Sequence, residues 1–255
     1  MSLAVIIASC NREERAFATA QSLLDAEMGE VIIIDDDSLV PYQSRNSQAG
    51  LKLFRLPVNS GPSAARNHGV RNSHAEWLIF LDDDDSLEPC LIDWIRAHAN
   101  TGLNDLDLVH FGHKTVDQNT KASSAITLSS NEQPTVLAGS WMMRRAFFLN
   151  LGGYEDRLRY SENSDLIERA ALAGARTLHA GFPTLCYTVG RPKRREEMAA
   201  RRAEACVFYL RNRSHCNRNQ TLKIGLMNSW WDKNPLLAFR LVAAFFATRR
   251  DANHV

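Results

Sequence analysis

The 255-residue chain carries a formal charge of +1 and is 45% hydrophobic, which suits one large α/β domain or one domain with an appendage. Its five cysteines (Cys10, Cys90, Cys186, Cys206, Cys216) form no C-x-x-C pair, which excludes a zinc pattern and leads us to expect free thiols in a reducing, cytoplasmic setting. No apolar run approaches the roughly 20 residues that span a bilayer, and Met1 to Ala8 reads as a short strand without a basic leader or a cleavage site.

The near-neutral total hides an asymmetry. Residues 191–255 hold 14 of the 30 Lys and Arg but 5 of the 29 Asp and Glu, a balance of +9 against −8 for residues 1–190. The expectation is a main domain over 1–190 and a basic, helical extension over 191–255.

In chain order, Leu3 to Ala8 predicts a buried strand. Asn11 is placed to cap a helix whose first turn holds Glu13 and Glu14, and Ala16, Phe17, Ala20, Leu23 and Leu24 recur at helical spacing. Val31 to Ile34 predicts a second buried strand, ending in Asp35-Asp36-Asp37-Ser38, and Leu51, Leu53 and Leu56 a third. Gly61-Pro62-Ser63 punctuates before a helix over 64–72. Trp77 to Leu81 predicts a fourth strand that ends in Asp82-Asp83-Asp84-Asp85, with a helix over 87–99 beyond it. Strands alternating with helices predict a mainly parallel sheet with helices on its faces.

Four adjacent carboxylates repel one another and are best tolerated beside a cation. A hard divalent ion such as magnesium or manganese takes one or two carboxylates together with substrate phosphates. The alternative is a solvated acidic loop that caps the next helix. An EF-hand is excluded: counted from Asp82, the turn position needing glycine is Leu87 and position twelve is Asp93. Ligands of such sheets bind beyond the carboxyl ends of the strands. Ser9 to Arg12, Asp35 to Ser38 and Asp82 to Asp85 all fall there, so the two acidic clusters are expected along one edge of a binding site.

In the second half, Leu106 to Phe111 predicts a strand, Thr115 to Pro134 a polar hairpin or loop, and Thr177–His179 and Leu185–Tyr187 two short strands. Tyr160 to Leu166 runs into a helix reaching Ala173. From Arg191 the chain turns basic and helical, ending in Trp230-Trp231 and an apolar helix over 235–248 bracketed by Arg240, Arg249 and Arg250.

Five stretches together resemble the family 2 glycosyltransferases, inverting enzymes of the GT-A fold that use nucleoside-diphosphate sugars. Val5-Ile6-Ile7-Ala8-Ser9-Cys10-Asn11-Arg12 resembles the family's first strand, and Val31 to Ser38 its second strand with the D-D-G-S turn. Gly61-Pro62-Ser63-Ala64-Ala65-Arg66-Asn67-His68-Gly69 is similar to its G-x-x-x-A-R-N-x-G helix, Phe80 to Pro89 to its D-x-D region, and Arg144 to Glu155 to its segment ending in G-G-F/Y-D/E. The resemblance covers roughly residues 3–188.

It implies a GT-A (Rossmann-like) mostly parallel sheet and transfer of a sugar, with inversion, from a nucleotide-diphosphate donor, first of all a UDP-sugar. The acceptor would be a hydroxyl of a saccharide or lipid-linked molecule, in polysaccharide or glycoconjugate assembly. By the same resemblance Asp36 accepts from the N3–H of a uracil-type base, Ala8 and Arg12 line the base pocket, and Asp82 or Asp83 faces the ribose. Asp84, with Asp82, ligates Mn2+ or Mg2+, whose charge assists departure of the nucleoside diphosphate. Arg66 adds positive charge near the diphosphate, or ties its helix to the acidic turns.

An inverting transferase needs a base for the acceptor's proton. The segment matching the family's E-D-x-D-L pattern reads Glu162-Asn163-Ser164-Asp165-Leu166, with Arg169 following, so an amide stands at the usual base position. Glu162 or Asp165 is expected to take the role, Glu162 first; otherwise the chain is a nucleotide-sugar binder with little or no turnover. A nucleotidyltransferase is disfavoured by the lack of a G-G-x-G-T-R-like loop. Val189-Gly190-Arg191 carries no histidine, which leaves a third metal ligand unassigned, and the three-residue spacing of His110 and His113 points them to opposite faces of a strand. The C-terminal helix is expected either to pack on the domain or on a second copy in an oligomer, or to lie peripherally in a membrane interface. The basic helix carries no base-reading motif, so nucleic acid is not an expected partner.

Overall fold

The computed structural model describes residues 1–43, 49–98, 103–117, 120, 122–126, 136–189, 195–213 and 216–247. They form two compact units, Met1–Arg157 with Glu162–Gly190, and Leu158–Ser161 with Arg191–Val255.

The first unit is built on a sheet of nine strands among the described residues: β1 (Leu3–Ser9), β2 (Glu30–Asp35), β3 (Leu51–Arg55), β4 (Trp77–Asp82), β5 (Ser86–Leu87), β6 (Leu108–Asp117), β7 (Ser123–Ile126), β8 (Trp141–Arg144) and β9 (Thr177–Val189). The order is β3-β2-β1-β4-β8-β6-β9-β5, with β7 paired to β6. Pairings among β1, β2, β3 and β4, and between β6 and β9, are parallel, whereas β5, β7 and β8 pair antiparallel. The continuous Val/Ile/Leu runs of the central strands are those of a sheet covered on both sides.

The alternation of side chains along β1 divides the core. Val5 and Ile7 face a cluster with Ala16, Phe17, Ala20 and Leu23 of α1 (Glu13–Asp25) and with Leu91 and Ile92 of α3 (Cys90–His98). Ala4 and Ile6 face the other cluster, with Ala65 and Val70 of α2 (Pro62–Arg71), Phe148 of α4 (Arg145–Asn150), and Leu166, Ile167 and Ala170 of α5 (Glu162–Leu172). Burying each large apolar side chain contributes about 1.5–3 kcal/mol, so these two clusters hold the strand ends in register. Gly69 lets α2 approach closely: a Cβ there would lie 2.5 Å from Ile6 Cγ2.

Several elements differ from expectation. Asn11 does not cap α1. It takes φ of 57° and its Oδ1 accepts from Leu39 N, while Arg12 is the N-cap and makes no side-chain bond to the helix. The helix expected from Leu87 begins at Cys90, because Ser86–Leu87 pairs with β9 and Pro89 lies between. The two short strands over 177–187 are one long β9. Thr115 to Asp117 continues β6, which turns back as β7 in the hairpin expected of this stretch; residues 118–119, 121 and 127–134 of it lie outside the described residues.

The second unit contains α6 (Arg195–Asn212), α7 (Arg218–Trp231) and α8 (Pro235–Phe246). The expected helical start at 191–194, and Arg249 and Arg250, lie outside the described residues. Asn217 and Asn234 cap α7 and α8 by accepting from Gln220 N and Leu237 N. Ala203, Cys206, Val207 and Leu210 pack with Leu237, Leu241 and Ala244. Arg218 closes the far ends of two helices by donating to the carbonyls of Leu210, Ala244 and Phe245. No described helix is long and apolar enough to cross a membrane.

Candidate functional site

Parallel pairing aligns the carboxyl ends of three strands. Ser9 of β1 stands opposite Asp35 of β2, and Ala8 opposite Asp82 of β4. The two acidic turns therefore emerge side by side, where a doubly wound sheet binds its ligands.

Asp35 is fully buried and structural. It accepts from Ser38 N (2.9 Å), Tyr42 N (3.3 Å) and Arg55 Nη1 (2.5 Å). Burial pulls its carboxyl upward, but the bonds from Ser38, Arg55 and Tyr42 outweigh this and hold it below its usual range. Asp36 points to the start of α2, where its oxygens accept from Ser60 N (2.7 Å) and Gly61 N (2.8 Å). A carboxylate at a helix N-terminus is favourably placed, and each oxygen retains a further lone pair for a ligand.

The tetrad splits into different environments. Asp83 is buried, accepts from Ser9 Oγ (2.5 Å) and pairs with Arg12 (3.0 Å). Burial raises it to about 6 against the pull of Ser9 and Arg12. Asp85 is also buried and accepts from Thr188 N (2.9 Å); burial raises it to about 7. Asp84 is more open and pairs with Arg12 at 3.3 Å. Asp82 is bound by Arg66 at 2.6 Å. Oxygens of Asp82, Asp84 and Asp85 lie within 4.8 Å of one another. Three convergent carboxylates, Asp85 drawn toward its neutral form by burial and Asp82 and Asp84 each paired with an arginine, are a hard donor set that fits a divalent cation. Asp84 and Asp85 also line an open hollow of about 390 Å³ with Arg15, Thr19 and Thr188. His110 and His113 belong to no such group among the described residues; His110 stacks on His179 with ring centroids 5.3 Å apart.

Arg66 is 2% exposed and spans two parts of the site. One amino group binds Asp82, the other binds Glu162 Oε1 at 3.0 Å, and its carbon lies 5.5 Å from the centre of the Tyr154 ring. Arg66 thus links α2 both to the acidic turn at Asp82 and to the start of α5 at Glu162. Glu162 opens α5 after Ser161, whose φ is 63°. Asn163 Oδ1 accepts from the Tyr154 hydroxyl at 2.8 Å. Asp165 is 1% exposed and bound to Arg169 at 2.8 Å; Arg169 also donates to the carbonyls of Leu151 and Gly153. Asn67 locks the same corner by bonding both N and O of Tyr154.

Of the residues expected from sequence, Ala8, Asp36, Asp82, Asp83 and Asp84 lie at the aligned strand ends and turns, and Arg12 pairs with Asp83 and Asp84. Arg66 brings Glu162 to the same place, whereas Asp165 faces Arg169 instead. Three participants were not singled out: Asp85, Ser9 and Tyr42, whose hydroxyl accepts from Arg12 N and lies 2.7 Å from Ser9 Oγ. Asp85 was visible within the acidic run and Ser9 within the polar strand end. Tyr42 carried no signal, since it comes from a loop 33 residues away in sequence.

Residues 4–151 match the family model described as Glycosyl transferase family 2. Among curated proteins the chain is 30% identical over 196 residues to "Succinoglycan biosynthesis protein ExoU" of Rhizobium meliloti, covering 68% of this chain and 57% of that protein. It is 33% identical over 119 residues to the poly(ribitol-phosphate) beta-N-acetylglucosaminyltransferase TarP of Staphylococcus aureus, covering 43% of this chain and 36% of TarP. The chain thus spans less than two thirds of the length of these relatives. Among solved structures, S. aureus TarS 1–349 in complex with UDP-GlcNAc superposes with a TM-score of 0.60 at 18% identity, over 89% of this chain and 71% of that one. This likeness establishes the shared fold, a mostly parallel α/β sheet of the GT-A type.

Proposed function

The chain belongs to glycosyl transferase family 2, and from that premise we propose that it is an inverting, metal-dependent glycosyltransferase. It moves a sugar from a nucleoside-diphosphate donor, a UDP-sugar first of all, to a hydroxyl of a saccharide or lipid-linked acceptor in polysaccharide or glycoconjugate assembly. The observation that carries this reading is the meeting of Asp82, Asp84 and Asp85 with the Arg66–Glu162 pair at the aligned strand ends. The solved TarS complex with UDP-GlcNAc makes UDP the first nucleotide to test.

The roles follow from the contacts. Asp82, Asp84 and Asp85 would hold Mg2+ or Mn2+, which supplies Lewis-acid stabilisation of the diphosphate as it departs. Asp36, fixed by two main-chain amides, would accept from the N3–H of a uracil-type base beside Ala8, a role supported by the lone pair each oxygen retains. Arg12 is the cation nearest Asp83 and Asp84 and is free to exchange a carboxylate partner for a donor oxygen. Glu162 is the general base. It is partly exposed, whereas Asp165 is buried against Arg169 and serves to orient α5. Arg66 sets the position of Glu162.

Asn163 favours a second reading, a nucleotide-sugar-binding protein without turnover, because a neutral amide bonded to Tyr154 takes no proton. Titration calorimetry of UDP with and without Mn2+ tests the donor site. Binding that needs the metal and disappears in Asp84→Ala supports it; no binding of UDP in either condition, nor of other nucleoside diphosphates, removes it. Turnover of a UDP-sugar by the wild type, lost in Glu162→Gln with UDP affinity retained, separates the transferase from the binder.

A further inference from the structure

We propose that the outward face of α8, with the exposed stripe of α7, docks on an anionic lipid surface. This rests on the second unit alone and is independent of the donor site.

Helix α8 is apolar all round: Arg240 is the one charged residue in Pro235–Phe246. A helix of that composition is ordinarily covered on every side. Here Leu237, Leu241 and Ala244 are buried against α6 and α7, while Leu236, Phe239 and Phe246 are 67%, 70% and 74% exposed, and Val242 stands beside them at 38%. On a helix these four fall within one outward sector opposite the buried residues. The inner face alone satisfies the packing of the three helices, so the outer residues have no role within the unit. On α7, Met227 and Trp230 are exposed in turn, Trp230 at 71%. Large apolar side chains concentrated on one helix face mark a contact surface rather than scattered exposure.

The charge pattern selects the occupant. Residues 218–247 hold four Lys or Arg and a single Asp. Arg240 is paired with Glu204 and Arg218 is spent on main-chain carbonyls, but Lys223 and Lys233 are exposed, and Arg249 and Arg250 follow α8 in sequence. An isologous contact with a second copy would bring this positive excess against itself. An anionic bilayer meets it with the opposite sign, takes phenylalanine and leucine into its acyl boundary, and accommodates tryptophan at the level of its headgroups. Because no described helix is long enough to cross, the contact is interfacial.

Co-sedimentation of the full 255-residue chain with vesicles of phosphatidylcholine, alone or with phosphatidylglycerol added, is the test. We expect binding at least about tenfold stronger to the anionic vesicles, weakened by salt. The double variant Phe239→Ser with Phe246→Ser lowers it by about tenfold or more, with an unchanged circular dichroism spectrum and unchanged UDP titration. Lys223→Glu with Lys233→Glu, which leaves the apolar face intact, lowers binding to anionic vesicles specifically. A wild-type chain that stays free of anionic vesicles overturns the proposal, as does binding indifferent to both double variants. So does a concentration-dependent dimer dispersed by the phenylalanine variants in the absence of lipid binding. A chain that binds vesicles but no nucleotide leaves this inference standing and removes the transferase reading.

Discussion

Arg66 sits at the meeting point of a charge network, and its value lies in its shape. A planar fork can bind Asp82 with one amino group and Glu162 with the other, which a lysine ammonium cannot reproduce. Arg66→Ala would leave Asp82 and Glu162 without the cation they share. Removing one partner of a buried pair costs about 3–5 kcal/mol; Asp82 is half-open to water, so we expect the lower end, about 3 kcal/mol, in urea denaturation. A loss within experimental error would show that the network is dispensable. Asp35 bears on pH instead. Its folded carboxyl lies below 3.8, the ordinary value, because Ser38, Arg55 and Tyr42 together outweigh its burial. A carboxyl lowered on folding stabilises the native state above its unfolded value, and that contribution disappears as the pH falls through the folded one. The acid limb of the stability curve below about pH 4 should therefore be shallower in Asp35→Asn than in wild type, as read by denaturation midpoints across that range. The acidic turns at Asp35 and Asp82 were legible in the sequence, since each follows an apolar run that reads as a buried strand. Their partners were not: the Arg66–Glu162 bond joins residues 96 positions apart, and no local pattern encodes such a pair.

At the scale of elements, the corner between α4 and α5 shows how a short motif becomes a support. Gly152 and Gly153 take φ of 82° and 72°, a region that costs other residues roughly 1–2 kcal/mol. At Gly153 a Cβ would also stand 2.7 Å from Asn67 Oδ1, the atom that accepts from Tyr154 N. Gly153→Ala should thus destabilise the fold by about 2–3 kcal/mol, strain and a disturbed hydrogen bond together, whereas Gly152→Ala, with nothing within 4 Å of the new Cβ, should cost only the strain. Equal effects of the two in chemical denaturation would count against Asn67 as the lock on this corner. The glycines were readable as part of a motif, but the reason for the second one is a contact with α2 that sequence does not display. The same limit explains β9. Pro183 looks like a strand breaker, yet the ladder to β6 shifts register around Gly112, which Pro183 faces, and the irregularity lets one strand continue where two were expected.

At the scale of the whole molecule, the alternation of strands and helices over the first hundred residues made the parallel half of the sheet readable, since each βαβ step is local. The antiparallel insertion of β8 between β4 and β6 was not, because pairing such as Trp77 with Arg144 closes a long loop that leaves no periodic trace. The change of charge at residue 190 was legible as composition alone. The proposed donor site would tie this architecture to a measurable property of the folded chain. A ligand that binds the native state and not the unfolded one stabilises by about 2.7 kcal/mol at a concentration 100 times its Kd, and for a chain of this size each kcal/mol moves the melting midpoint by about 2–4 °C. Saturating UDP with Mn2+ should therefore raise the midpoint by about 5–10 °C. The rise should vanish in Asp84→Ala, which leaves the sheet intact but removes one of the two open oxygen donors of the acidic group. It should persist in Phe239→Ser with Phe246→Ser, whose side chains lie on α8. A wild-type midpoint that ignores both nucleotide and metal would mean that the aligned carboxylates hold the strand ends together without binding a donor.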